Sequence, residues 1–201
     1  IGFPLDRRAA NGLFAPLETL AIDTTNFTDG TTLPGVLYEY RLRATNVAGN
    51  SAWTPIASAT APGTATGYQN WLFANGLPMD ASGSGSDIAP PASDGLPNLI
   101  NYALGLSATA NGNSGRLRCG TTTDGGSDYL TLTYIRPDPV PDDITYSVEA
   151  GPDLTSASWT SIGLVEISNT VNAGLRTLTL RDSVPLAGAS RRFMRLKVTQ
   201  P

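Results

Sequence analysis

Histidine is absent from the 201 residues, cysteine occurs once, and only 15% of the side chains are charged. Without histidine the chain lacks the side chain that most readily shuttles protons near neutral pH, and with one cysteine it has no His/Cys metal site. The acidic pairs do not replace them. Asp142-Asp143 and Asp80/Asp87 lie in turn-rich segments, where aspartate is favoured for backbone hydrogen bonding, so no catalytic residue and no enzymatic activity is expected. Cys119 cannot form an internal disulfide and is expected to be a small buried hydrophobe on a strand near Leu117. There is also no concentration of basic charge. A net charge of −4, with Arg7-Arg8 and Arg191-Arg192 as isolated pairs expected on solvated strand faces, argues against nucleic acid as a partner. No apolar run reaches the roughly 18 residues of a bilayer span, and no amino-terminal signal is visible. The chain begins with Ile1, and it reads as a processed or excised piece of something longer, with an extracellular or cell-surface address.

What is plentiful is turn chemistry. Gly (21) and Pro (15), with many Ser and Thr, are the composition of short strands joined by frequent turns, and 40% hydrophobic content is enough to build cores. Residues 36–53 carry the clearest pattern. Leu37, Tyr38, Tyr40, Leu42 and Ala44 alternate with Glu39, Arg41 and Arg43, so from Tyr38 onward one strand face is apolar and the other charged. The Asn46-Val-Ala-Gly49-Asn50 turn then reverses the chain.

This stretch resembles the last hairpin of a fibronectin type III domain, whose Y-x-Y/F-R-V-x-A-x-N-x-x-G-x-S pattern is met by Tyr38, Tyr40, Arg41, Leu42, Ala44, Asn46, Gly49 and Ser51. Upstream, residues 2–8 and 14–20 resemble that family's third strand and its partner, and the resemblance leaves no sequence for its first two strands. The first zone, residues 1–62, therefore reads as a partial sandwich.

Residues 63–110 read as a two-helix linker. Tyr68, Trp71, Leu72 and Ala74 or Asn75 share a helical face ending at Gly76, and Leu96, Leu99, Ile100, Ala103 and Leu104 share another, with Asp94 as cap and Gly105 as stop. The segment resembles a W-L-x-x-x-G-L-P helix followed by D-x-D-G-D-G-L-x-N-L-x-E-Y-A-L-G, found in secreted multidomain proteins of the Verrucomicrobia and Planctomycetes type and related to the calcium loops of dockerins and thrombospondin type 3 repeats. Calcium takes about six to eight hard oxygens. Aligned on Asp94-Gly95, the loop offers Asp94 and Asn98, has Pro90, Ala92 and Asn101 at three other ligand positions, and could recruit Asp80 and Asp87. No cofactor is expected beyond weak calcium, if any.

Residues 111–201 are again β-rich, with strands expected over 129–135, 144–149, 159–167, 175–180 and 193–198 and the spacing of a sandwich. A faint repeat links the two ends. Residues 3–7 and 14–17 mirror 146–150 and 159–162, and residues 38–44 mirror 192–198. The fold class expected is thus mainly β, two fibronectin- or immunoglobulin-like sandwich modules joined by a short two-helix segment, the first short of its beginning and the second of its end.

The functional expectation is a non-enzymatic extracellular structural or adhesive protein, a subunit of a surface filament or layer in which neighbours share strands. Its partners would be other copies of itself or the upstream part of the same precursor. Phe3, Leu37, Tyr38, Tyr40 and Leu42 are the expected interface residues, and Asn26-Phe27-Thr28 is a glycosylation sequon. The alternative is a glycan-binding or anchoring tail of a secreted polysaccharide hydrolase.

Overall fold

A computed structural model describes residues 1–90, 95–109, 115–188 and 191–201. The chain is mainly β, with two separate antiparallel sheet groups joined through a short helical segment. It divides into two compact units, Ile1–Ala89 and Pro90–Pro201. The linker helices are shared out between them, one to each.

In the first unit β1 (Phe3–Ala9) lies between β2 (Ala15–Leu20) and β3 (Leu37–Leu42), and β6 (Ala57–Thr60) closes the other edge of β3, giving the order β2-β1-β3-β6. The expected turn at Val47-Ala48 is a small hairpin of β4 (Thr45–Asn46) and β5 (Gly49–Asn50). Alternation along β1 and β3 sorts the faces. Leu5, Arg7 and Ala9 stand opposite Leu42, Tyr40 and Tyr38, while Asp6 and Arg8 stand opposite Arg41 and Glu39. Among the described residues this unit has one large sheet with no second sheet against it.

Helix α1 (Gly67–Ala74) begins where sequence periodicity places it, because Thr66 and Gln69 form a reciprocal capping box. Gly76, at φ +70, ends it. Tyr68 and Leu72 are buried on one face, and the following turn brings Met79 into a core with Ala9, Ala10, Val36 and Tyr38. Asn11 pins the end of this segment by donating to the Leu77 carbonyl at 3.3 Å.

The second unit is a two-sheet sandwich. One sheet has the order β10 (Val165–Asn172), β11 (Leu175–Pro185), β8 (Ser127–Pro137), β7 (Leu117–Asp124), and the other pairs β9 (Thr145–Gly151) with β12 (Phe193–Thr199). Leu132, Tyr134, Val148 and Leu178 meet between the sheets, with Met194 and Leu196 packed against them. Helix α2 (Asn98–Ala103) adds Leu104 and Leu106 to the same core, and the Tyr146 hydroxyl donates to the Ala103 carbonyl at 2.7 Å. Its start differs from expectation. The N-cap is Pro97, and not Asp94, which lies outside the described residues. A residue preceding proline is driven from helical backbone angles, so the helix begins only after Leu96-Pro97.

Three other expectations are corrected. The run 159–167 is not one strand: Thr160 bridges to Ala150, Gly163 turns at φ +83, and the chain crosses to the opposite sheet before β10 begins. Cys119 is exposed, because β7 is an edge strand with most of its residues in solvent. The arginine pairs are largely engaged, not solvated. Arg7 bonds Asp29, Arg8 bonds Glu39, and Arg192 forks onto Asp182, whose side chain is only 2% exposed.

The repeat seen in sequence is present in the geometry. Leu5↔Leu42, Asp6↔Arg41 and Arg7↔Tyr40 in the first unit correspond position for position to Val148↔Leu196, Glu149↔Arg195 and Ala150↔Met194 in the second. The side chains repeat as well. Arg41 bonds Asp6 at 2.8 Å and lies 4.2 Å over the Phe14 ring, while Arg195 bonds Glu149 at 2.7 Å and lies 4.2 Å over the Trp159 ring.

Candidate interaction surface

The two faces of the first sheet have opposite chemistry. On the charged face the Asp6–Arg41 and Arg8–Glu39 pairs run side by side across β1 and β3. Guanidinium groups alternate with rings there: Arg8 and Arg41 flank Phe14, and Arg41 and Arg43 flank Trp53, at 4.2 to 4.5 Å. Such stacks use both partners' apolar surface and contribute about 0.5–1 kcal/mol each near solvent.

The apolar face is only partly covered. The segment 21–36 that links β2 to β3 crosses it as a strap, anchored by Asp29. This carboxylate accepts from Arg7 Nη1 at 2.7 Å, from the Tyr40 hydroxyl at 3.0 Å, and from both the amide and the hydroxyl of Thr31. Burial raises the Asp29 pKa, but these donors outweigh it and hold the carboxyl at about 2. The Tyr40 phenol is pushed up to about 12, first by burial and then by its bond to Asp29. Further along, the Tyr38 hydroxyl accepts from the Leu33 amide at 3.0 Å and the Arg7 guanidinium lies 4.7 Å over the Tyr38 ring.

Beside this strap an apolar groove of about 420 Å³ remains, lined by Leu5, Leu20, Phe27, Tyr40, Leu42 and Ala57, with Asp29 at its wall. Phe27 is 41% exposed at its rim.

Of the expected interface residues, Tyr40 and Leu42 line the groove, and Phe3 is half-buried on the same face, opposite Leu20. Tyr38 is 2% exposed, so it belongs to the unit's own core and offers no surface to a partner. Leu37, one residue along the strand, points to the other face and packs against that core's edge. Leu5, Leu20 and Phe27 went unread, although Leu5 stands two residues from Phe3 on the same strand face. Nothing local in the sequence announces Phe27, which reaches the groove only because the strap folds over the sheet.

Asn26 is exposed beside the groove rim, so its sequon is accessible. The expected calcium ligands are divided between the two units. Asp80 accepts from the Ser82 amide in a turn at 3.1 Å, Asp87 lies beside the buried Tyr68, and both belong to the first unit. Asn98 is fully buried on α2 in the second unit, as is Asn101, whose Nδ2 donates to the Leu96 carbonyl at 3.3 Å. Asp94 lies outside the described residues. Among the described residues no group of three or more His, Cys, Asp or Glu side chains is placed to hold a metal ion. No family model matches the chain, and no curated protein matches it.

Proposed function

We propose that this chain is a non-enzymatic extracellular structural protein, a subunit of a surface filament or layer built by sharing strands or sheet faces between copies, with the two units as partial fibronectin-like modules. The observation that carries the reading is the apolar groove along Leu5, Leu20, Phe27 and Leu42, on a sheet that has no second sheet against it among the described residues. Burying such side chains is worth about 1.5–3 kcal/mol each, and the face of a half-sandwich offers an occupant both apolar surface and strand edges.

A glycan-binding role would need an aromatic ring with an open face. Phe14 and Trp53 are each met by two guanidinium groups and Trp159 by Arg195, contacts that a sugar stacking on the same ring face would have to displace.

Concentration-dependent light scattering or sedimentation of the purified chain tests the reading. Self-association is expected, and Leu42→Asp is expected to abolish it. Leu42 is the better probe than Tyr40, since Tyr40→Asp would also break the bond that holds Asp29 and release the strap. A chain that stays monomeric across the accessible concentration range overturns the proposal.

A further inference from the structure

We infer that β7 is a self-complementary edge, to which a second copy of this chain adds its own β7 antiparallel, centred on Thr121. The contact belongs to the second unit, is separate from the groove of the first sheet, and does not rest on it.

β7 lies within the chain, with other strands before and after it, and among the described residues it pairs with β8 alone. Edge strands are ordinarily guarded by charge, proline, bulges or shortness. Other edges of this molecule are guarded in these ways: β10 bulges between Glu166 and Ser168, β2 carries Pro16 and Glu18, and β6 has four residues. β7 has none of these guards along its middle. Its eight residues pair with β8 in an unbroken register, and those from Cys119 to Thr123 are uncharged.

The turn that follows fixes which backbone groups are open. Asp124 and Ser127 flank Gly125 and Gly126, whose φ values of +57 and +79 suit a two-residue type I′ turn closed by a hydrogen-bonded pair. Such pairs alternate along an antiparallel ladder. The amides and carbonyls of Arg118, Gly120, Thr122 and Asp124 therefore turn to β8, and those of Cys119, Thr121 and Thr123 turn to the open side. The Arg116 carbonyl keeps the same phase, accepting from the Ile135 amide at 2.8 Å.

Charge selects the occupant. Arg118 and Asp124 lie on one face of the strand with Thr121 midway between them. A second β7 centred on Thr121 sets Arg118 of each copy opposite Asp124 of the other, at positions without backbone hydrogen bonds, where side chains across a ladder come closest. Both groups are available. Arg118 is exposed and has no ionic partner among the described residues, and Asp124, with its side chain 60% exposed, holds Arg181 through Oδ2 alone. A parallel copy would set arginine beside arginine, and an antiparallel register shifted by two residues sets Arg118 against Thr122. An unrelated strand would need a base and an acid at the same spacing, which the second copy carries by symmetry.

The contact is a weak one. A seven-residue strand pair is about 24 Å long and covers less than the roughly 1,000 Å² that a stable interface clears. It leaves free copies apart in dilute solution and orders copies that are already held close.

The test uses the full chain carrying Leu42→Asp, which removes the groove contact, and reads backbone amides by nuclear magnetic resonance. As the concentration rises to about 1 mM, the amide shifts of Cys119, Thr121 and Thr123 are expected to move and their exchange to slow by about twofold or more, while Gly120 and Thr122, already bonded to β8, change little. Arg118→Asp alone, or Asp124→Arg alone, places like charges at both ends of the pair and is expected to abolish these changes. An equal mixture of the two variants restores opposite charges between unlike chains and is expected to recover them, a result that also requires each variant to fold. Amide shifts that stay constant up to about 1 mM overturn the inference. So does a concentration dependence that Arg118→Asp leaves intact, or one that the mixture fails to recover. Every arm carries Leu42→Asp, so this edge and the groove of the first sheet can fail separately.

Discussion

Asp29 ties the strap to the first sheet through Arg7 and Tyr40, and its removal gives a quantitative test. In Asp29→Asn the side chain keeps its size but loses the charge that holds Arg7 at 2.7 Å, and its amide nitrogen replaces one of the two acceptor oxygens shared by Arg7, Tyr40 and Thr31. The carboxyl lies at about 2 in the fold against 3.8 without it, a difference with an upper bound of about 2.4 kcal/mol. Solvent screening around a partly exposed arginine reduces this to about 1–2 kcal/mol. Because the pKa is depressed in the folded state, the stabilisation is complete above pH 3.8 and is lost as the pH falls through about 2. At pH 7 the variant is expected to melt below the wild type by about 4–8 °C per kcal/mol lost, and the two are expected to converge as the pH approaches 2. The readout has to be local, through exchange of the Tyr38 and Tyr40 amides. In the second unit Asp138 and Glu149 are also held low, by hydrogen bonds from Arg176 and Arg195, and respond to acid themselves. Equal protection of β3 in wild type and Asp29→Asn at pH 7, or parallel pH profiles down to 2, would refute the role given to this carboxylate.

Gly35→Ala is expected to unfold the first unit selectively. The position has φ +70, and a β-carbon there would run into the Ala65 amide nitrogen, a backbone contact that cannot move aside; circular dichroism and near-ultraviolet signals of Trp53 and Trp71 would report it, while the second unit's β8 and β11 amides stay protected. Cys119, exposed on the edge strand β7, is expected to react with a thiol reagent in the native chain at a rate near that of the denatured chain, measured by mass under native and denaturing conditions, and strong native protection would contradict its placement.

Much of the fold was legible where local chemistry acts alone. Alternation along 38–44 predicted which residues of β3 face the charged pairs, and the structure puts Arg41 against Asp6 and Glu39 against Arg8 accordingly. The helix ends at Gly76 and Gly105 were readable because a left-handed turn favours glycine. The elements misread are those in which a distant partner overrides local preference. Strand-forming residues at 159–164 are diverted because Trp159 is held under Arg195 and the chain then changes sheets. Cys119 has the neighbours of a core residue in sequence, but it lies on an edge strand.

The candidate surface divides in the same way. Sequence alone determined that β3 carries an apolar face, since a period of two is a property of the strand itself. It also showed the repeat between the two ends, because equivalent strands keep equivalent side chains. Only the tertiary structure decided which part of that apolar face is left open. Tyr38 and Tyr40 occupy like positions in the alternation, yet Tyr38 is sealed by Leu33, Arg7 and the core around Met79, while Tyr40 and Leu42 line the groove. The path of segment 21–36 makes that difference, and it is fixed by the ion pair of Asp29 with Arg7, two residues 22 positions apart whose meeting depends on how β1, β2 and β3 pair and so has no local signature.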